Sequence, residues 1–368
     1  MRTGLSADVV KTAEMAEMAK LANMAGTRRV ARAARVAGRL SLAAALLLPA
    51  LAAAQATENG RFTIGKTEVV SYRLTQEGAP DVEYFLSKTD QPAPLVVLIQ
   101  GSGCAPVFSG LDTARRSSNI YGYIELAQQG KYAVMVVNKP FAPKDKPVGD
   151  PGIVACPTEF NEYFTLESWV RHLGRAYDHA AQQPWVRAGS SLVLGVSEGA
   201  TAAAGLAEKE GRVTNVAMVS GSGPSQLYDF VAGAYAAGGS DDDIKARLDE
   251  VEATREKIAA APDDAKTLAW GHPYKRWSSF FRASSTQSLL KAQAKVYIVS
   301  GMKDKNVPIL GAEAMASELL GAGHDVTMRR VPNAGHNLLP AGAPAGNLWP
   351  EYQRIVEWYA RDLQNTAQ

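Results

Sequence analysis

The chain has 368 residues, 46% of them hydrophobic and 21% charged, with Gly 32, Pro 19 and two cysteines. That balance suits a water-soluble globular protein and excludes collagenous, disordered and disulfide-scaffold classes. The formal charge of +2 is unevenly placed: residues 1–54 carry eight Lys/Arg against three acids, and the remainder carries 31 basic against 34 acidic residues, with no basic stripe for nucleic acid.

Residues 40–54 read LSLAAALLLPALAAA behind the arginine-rich TRRVARAARVAGR. A positive segment, a short apolar core and a small-residue site such as Ala52-Ala53-Ala54 spell a secretory signal peptide over 1–54. This fifteen-residue uncharged stretch, interrupted by Pro49, falls short of the roughly 20 needed to span a bilayer, so a membrane anchor is not expected after processing. The segment ahead of Thr27 is long for such a leader, which translation from Met24 instead of Met1 would explain. The expected location is periplasmic or secreted, and in that oxidising space Cys104 and Cys156 are expected to form a disulfide. The five histidines are dispersed and none shares zinc spacing with the cysteines, so neither a metal nor another cofactor is expected.

In the mature region, 55–368, FTIGKTEVVSYRL and DVEYFLS alternate apolar and polar residues as half-exposed antiparallel strands do. Continuous apolar runs then follow: LVVLIQ (95–100), YAVMVV (132–137), SLVLGV (191–196), VTNVAMVS (213–220) and VYIVS (296–300). Such runs mark strands buried on both faces. Helical patterns over 166–181 and 200–210 lie between them, predicting an α/β fold with a mostly parallel central sheet and helices on both faces. His172 and His179 fall in the first of these helices, where surface positions are expected. About seventy residues before VYIVS contain no strand-like run; Ser240 and Asp243 form a capping-box pattern ahead of Ile244, Leu248, Val251 and Ile258 at helical spacing. A helical cap inserted at about 222–290 is therefore expected over the strand ends.

The most specific signal is Gly195-Val196-Ser197-Glu198-Gly199, directly after an apolar strand and directly before a helix. A sharp turn there lifts the serine hydroxyl out beside a helix N-terminus, where N–H groups favour developing negative charge. Serine needs a base oriented by an acid. Asp304, just past the last strong strand, and His336, in VPNAGHNL, complete the order Ser197, Asp304, His336. Asp325 is the rival acid but stands before a strand. An oxyanion needs N–H donors, expected from Glu198 and from Ser102, with Gly103 next, in the Gln100-Gly101-Ser102-Gly103 loop. The Glu198 carboxylate itself is left open between capping the helix and meeting a substrate.

With GVSEG, SGMKD, AGH and QGSG in these positions, the mature region resembles a secreted bacterial member of the α/β-hydrolase superfamily. The resemblance implies that fold, a helical cap after the sixth strand, and a Ser197–His336–Asp304 triad acting through an acyl-enzyme. Relatives commonly carry His-Gly where this chain has Gln100-Gly101. Trp270, Tyr274 and Trp277 in the cap are candidates for an apolar substrate pocket, or for packing the cap to the core. The expected activity is hydrolysis of a small or medium carboxylic ester. The alternatives are a serine peptidase of prolyl-oligopeptidase or proline-iminopeptidase type, and a non-catalytic binding protein that retains the fold.

Overall fold

In a computed structural model, residues 55–111, 116–120, 122–143, 156–340 and 348–365 are described. The expected signal peptide, 1–54, lies outside the described residues. Nine strands make one sheet: β1 (Gln55–Ile64), β2 (Thr67–Gln76), β3 (Ala79–Ser87), β4 (Ala93–Ile99), β5 (Ala133–Val137), β6 (Val186–Val196), β7 (Asn215–Val219), β8 (Lys295–Gly301) and β9 (Val326–Val331), in the order β1-β2-β3-β5-β4-β6-β7-β8-β9. The first three strands and β5 pair antiparallel; the pairings from β5 across to β9 are all parallel.

Each of the apolar runs is a parallel strand whose alternate residues enter opposite cores. In β4, Leu95, Val97 and Ile99 face one core, while Val96 and Leu98 face the other. The first core is covered by α2 (Thr158–Tyr163), α3 (Leu166–Ala180), α4 (Glu198–Lys209), α8 (Ser285–Lys291) and α9 (Ile309–Gly321); the second by α1 (Tyr123–Gln129) and α10 (Trp349–Asn365). Burial on both faces leaves no polar alternation, which is why these strands read as unbroken hydrophobic stretches.

FTIGKTEVVSYRL folds as two strands, the end of β1 and most of β2, joined at Gly65-Lys66, with Gly65 at φ +58°. The helical insertion consequently follows the seventh strand of the sheet, not the sixth. It holds α5 (Gln226–Ala236), α6 (Asp241–Ala260), α7 (Tyr274–Phe281) and α8, with a two-residue ladder between Leu268–Ala269 and His272–Pro273. Both halves of the Ser240–Asp243 capping box are present at the start of α6. Of its apolar stripe only Ile258 is buried.

His172 is buried and His179 half-buried, so neither is a simple surface residue. Thr165 caps α3, and the apolar face that follows, Trp169, Val170, Leu173, Ala176 and Tyr177, packs on the sheet with His172 among it. Burial, joined by the nearby Arg175 charge, pushes the His172 pKa down to about 3. The Nδ1 of His179 lies 2.6 Å from the Tyr84 hydroxyl. No helix among the described residues is long and apolar enough to cross a membrane.

Candidate active site

Ser197 follows β6 and precedes α4 at a positive φ of 55° with ψ −122°. Its flanking glycines are dictated by close approach. A Cβ at Gly195 would fall 2.1 Å from the Gly199 carbonyl oxygen, and one at Gly199 would fall 2.4 Å from the carbonyl oxygens of Ile99 and Gln100. Both contacts are with backbone, so nothing can swing aside. The turn packs against the loop after β4: a Cβ at Gly101 would lie 3.5 Å from Ser197 Cβ.

The structure brings the three distant residues together. The imidazole of His336 lies with Nε2 3.0 Å from Ser197 Oγ and with Nδ1 2.8 Å from Asp304 Oδ2. Asp304 Oδ1 accepts the backbone N–H groups of Asn306 (2.9 Å) and Val307 (3.0 Å), which fixes the carboxylate plane. The His336 loop is anchored by Ser220 Oγ, which donates to the His336 carbonyl at 2.8 Å. Asp325 is remote from this arrangement and pairs with Lys295 at 3.6 Å.

Around the turn lies a buried charge cluster that only partly announces itself in the sequence. One oxygen of Glu198 accepts from Lys139 Nζ at 2.6 Å; the other accepts from Arg276 Nη2 at 2.6 Å and Nε at 2.9 Å. Arg276 also donates to Gln226 on α5. Burial alone would raise the Glu198 pKa, but two adjacent cations outweigh it and hold the carboxyl down to about 2. For Lys139 and Arg276 burial is the larger influence and lowers both pKa values despite the shared carboxylate. The Glu198 side chain therefore ties α7 to the turn.

Gln100, where relatives commonly have histidine, is buried and accepts from Asn119 Nδ2 at 2.6 Å, bracing the Gly101–Gly103 stretch. Cys104 follows directly and is disulfide-bonded to Cys156, with Cα atoms 5.7 Å apart. The bridge joins this loop to the chain entering α2.

Trp270 and Trp277 sit in an aromatic cluster with Phe230 and Phe281: Trp270 stacks on Phe230 at 4.1 Å, and Trp277 stands edge-on to Trp270 at 5.8 Å. These contacts pack α5 against α7. Tyr274, half-buried, opens α7. The cleft beside Glu198 is lined instead by Gly103, Phe160, Asn161, Phe164, His272 and Arg276. Among the described residues no group of three His, Cys, Asp or Glu side chains stands together to hold a metal.

Asp229 of α5 is buried and accepts from Ser222 Oγ at 3.0 Å. Burial, with Asp304 nearby, raises its pKa from 3.8 to about 8. The folded protein thus keeps a proton that the unfolded chain releases, and this stabilisation is lost as pH rises through that interval. The loss is about 1.4 kcal/mol per pH unit, or about 3 kcal/mol between pH 5 and 7. The Asp229→Asn variant keeps the acceptor without the titration. Urea unfolding at pH 5, 7 and 9 should show the variant gaining on the parent as pH rises; a constant difference would show that Asp229 is ionised throughout.

Residues 253–366 match the prolyl oligopeptidase family, a segment that includes Asp304 and His336. No curated protein sequence matches the chain significantly. Among solved structures, an acetyl xylan esterase from a Paenibacillus species is similar with a TM-score of 0.54 and 12% identity, over 84% of this chain and 88% of that one. Acetyl xylan esterase 1 from a Thermoanaerobacterium species is similar with a TM-score of 0.51 and 11% identity, over 82% and 86%. Dipeptidyl peptidase 4 from Porphyromonas gingivalis is similar with a TM-score of 0.51 and 15% identity, over 80% of this chain but 35% of the peptidase. By sheet topology and structural likeness, the chain adopts an α/β-hydrolase fold.

Proposed function

We propose that the protein is an exported carboxylic-ester hydrolase in which Ser197 is the nucleophile, His336 the base and Asp304 the acid that orients it. The observation carrying this reading is the unbroken hydrogen-bonded line from Ser197 Oγ through both imidazole nitrogens to Asp304. Ser197 Oγ attacks the ester carbonyl as Nε2 takes its proton, and the tetrahedral oxyanion is received by the N–H of Glu198 and that of Ser102 or Gly103. Collapse returns the proton to the leaving alcohol and leaves an acyl-enzyme, which water then hydrolyses by the same route. Helices α5–α8 act as the cap, with Arg276 reaching from α7 to the turn.

Esters are favoured over peptides because the esterase likenesses extend over most of both chains, whereas the peptidase likeness covers about a third of the peptidase. The prolyl oligopeptidase match over 253–366 keeps peptide hydrolysis as the second reading. A fluorophosphonate probe should label the wild type and not Ser197→Ala. No labelling would favour a binding protein that retains the fold. A panel of p-nitrophenyl esters and aminoacyl-naphthylamides should then show turnover of the esters; turnover of the amides alone would select the peptidase.

A further inference from the structure

Lys139 follows β5 in a segment, NKPFAPKDKP, that reads as a solvated loop, yet its side chain is wholly buried. An ammonium has three protons and no lone pair. Each proton finds an oxygen: the Gly101 carbonyl at 2.7 Å, the Gly103 carbonyl at 2.9 Å and Glu198 Oε1 at 2.6 Å. The ring of Phe164 lies 4.8 Å from the same nitrogen. Desolvating an ammonium costs several kcal/mol, and this site meets that cost with full satisfaction and a counter-charge.

What Lys139 grips is the loop proposed to stabilise the oxyanion. In a planar trans peptide the C=O and N–H point in opposite directions. Holding the Gly101 carbonyl on Lys139 therefore aims the Ser102 N–H the other way, and the two held carbonyls bracket Ser102 on either side. The third partner belongs to Glu198, whose backbone N–H is the other proposed donor. One ammonium thus joins the Gly101–Ser102 peptide to the side chain of the residue whose N–H is the second proposed donor.

We propose that Lys139 is a positioning residue for oxyanion stabilisation, holding the Gly101–Gly103 loop in register with the Ser197–Glu198 turn. This rests on the reading of Ser197 as nucleophile and Ser102 as donor. Lys139→Met keeps much of the side-chain volume, removes the donors and leaves Glu198 paired with Arg276. Loss of one well-aimed oxyanion donor lowers kcat by about 100- to 1000-fold; misorientation of one should lower it by about 10- to 100-fold.

The test compares wild type and Lys139→Met on p-nitrophenyl esters, with the folded fraction set by circular dichroism. The expected result is the stated fall in kcat with KM changed less than about twofold, and a matching loss of affinity for an alkyl boronic acid, whose tetrahedral adduct uses the same donors. The shape of the pH–rate profile should not change. Wild-type kcat and boronate affinity in folded Lys139→Met would overturn the proposal and reduce Lys139 to a core ion pair. If Lys139→Met does not fold, Lys139→Arg keeps the charge opposite Glu198 but replaces the compact ammonium with a planar fork that cannot meet the same three oxygens, and the same comparison decides. Failure of the underlying reading looks different: the wild type itself neither hydrolyses the esters nor takes up a fluorophosphonate at Ser197.

Discussion

Replacing His336 with alanine is expected to lower kcat for ester hydrolysis by about 10⁴- to 10⁶-fold, with KM changed less than about threefold. The expectation follows from two contacts made by one ring. Nε2 lies 3.0 Å from Ser197 Oγ, where in the proposed mechanism it takes the proton that makes the oxygen a competent nucleophile. Nδ1 lies 2.8 Å from Asp304, so the proton that His336 retains is held there and Nε2 is left as the acceptor. Alanine removes both, and Ser197 becomes an ordinary alcohol. The proposed mechanism gives the ring proton transfer and no substrate contact, so KM should be spared. Asp304→Asn should cost about 10⁴-fold by favouring the wrong tautomer. Combining Ser197→Ala with His336→Ala should add little to either alone, because the residues act as a unit. Steady-state kinetics on a p-nitrophenyl ester decides the matter. Unchanged kcat with raised KM would make His336 a binding residue and remove the base from the mechanism.

The parts legible in the sequence share a physical trait: each is encoded locally. A strand buried on both faces must be apolar along its whole length, so β4 to β8 announce themselves. The Ser197 turn requires glycine two positions before and after Ser197 because backbone passes within van der Waals range on both sides, and that spacing survives as a motif. Asp304 and His336 are recoverable because each stands just past a strand end. Lys139 has no such mark. Its burial results from β5, the loop after β4 and the start of α4 converging from positions far apart in the chain, and a lysine between Asn138 and Pro140 looks like any solvated loop residue. Arg276 was visible only as a charge among aromatics; its guanidinium lies 4.2 Å from the Trp277 ring and 4.3 Å from the Phe280 ring while it bonds Glu198. His172 misleads for another reason. It stands three residues after Trp169 and four before Ala176, on the buried stripe of α3, but residue type argues for exposure where spacing argues for burial.

Glu198 carries the second large effect, on stability more than on chemistry. Its carboxylate is nearly inaccessible, and it is the shared counter-charge for Lys139 and Arg276. Glu198→Gln keeps the shape and the backbone N–H but strands two cations in a medium that solvates them poorly. Breaking a buried ion pair by removing one partner costs about 3–5 kcal/mol. The titration of Glu198 leads to a similar figure. Its folded pKa of about 2 lies below the reference of 4.5, so its stabilisation is complete above 4.5 and is lost as pH falls through that value toward 2. The span corresponds to about 3 kcal/mol. Urea unfolding at pH 7 should therefore find Glu198→Gln less stable than the parent by about 3–5 kcal/mol. The gap should close as pH falls toward 2, because the parent protonates to a comparable neutral group. Adding Arg276→Met to Glu198→Gln should recover part of the loss, since one stranded cation is then removed. Ser197→Ala, by contrast, removes no buried charge and should unfold close to the parent. A Glu198→Gln protein as stable as the parent at pH 7 would mean that neither Lys139 nor Arg276 relies on the carboxylate as its counter-charge, and the tie from Lys139 to α4 would carry no stabilisation.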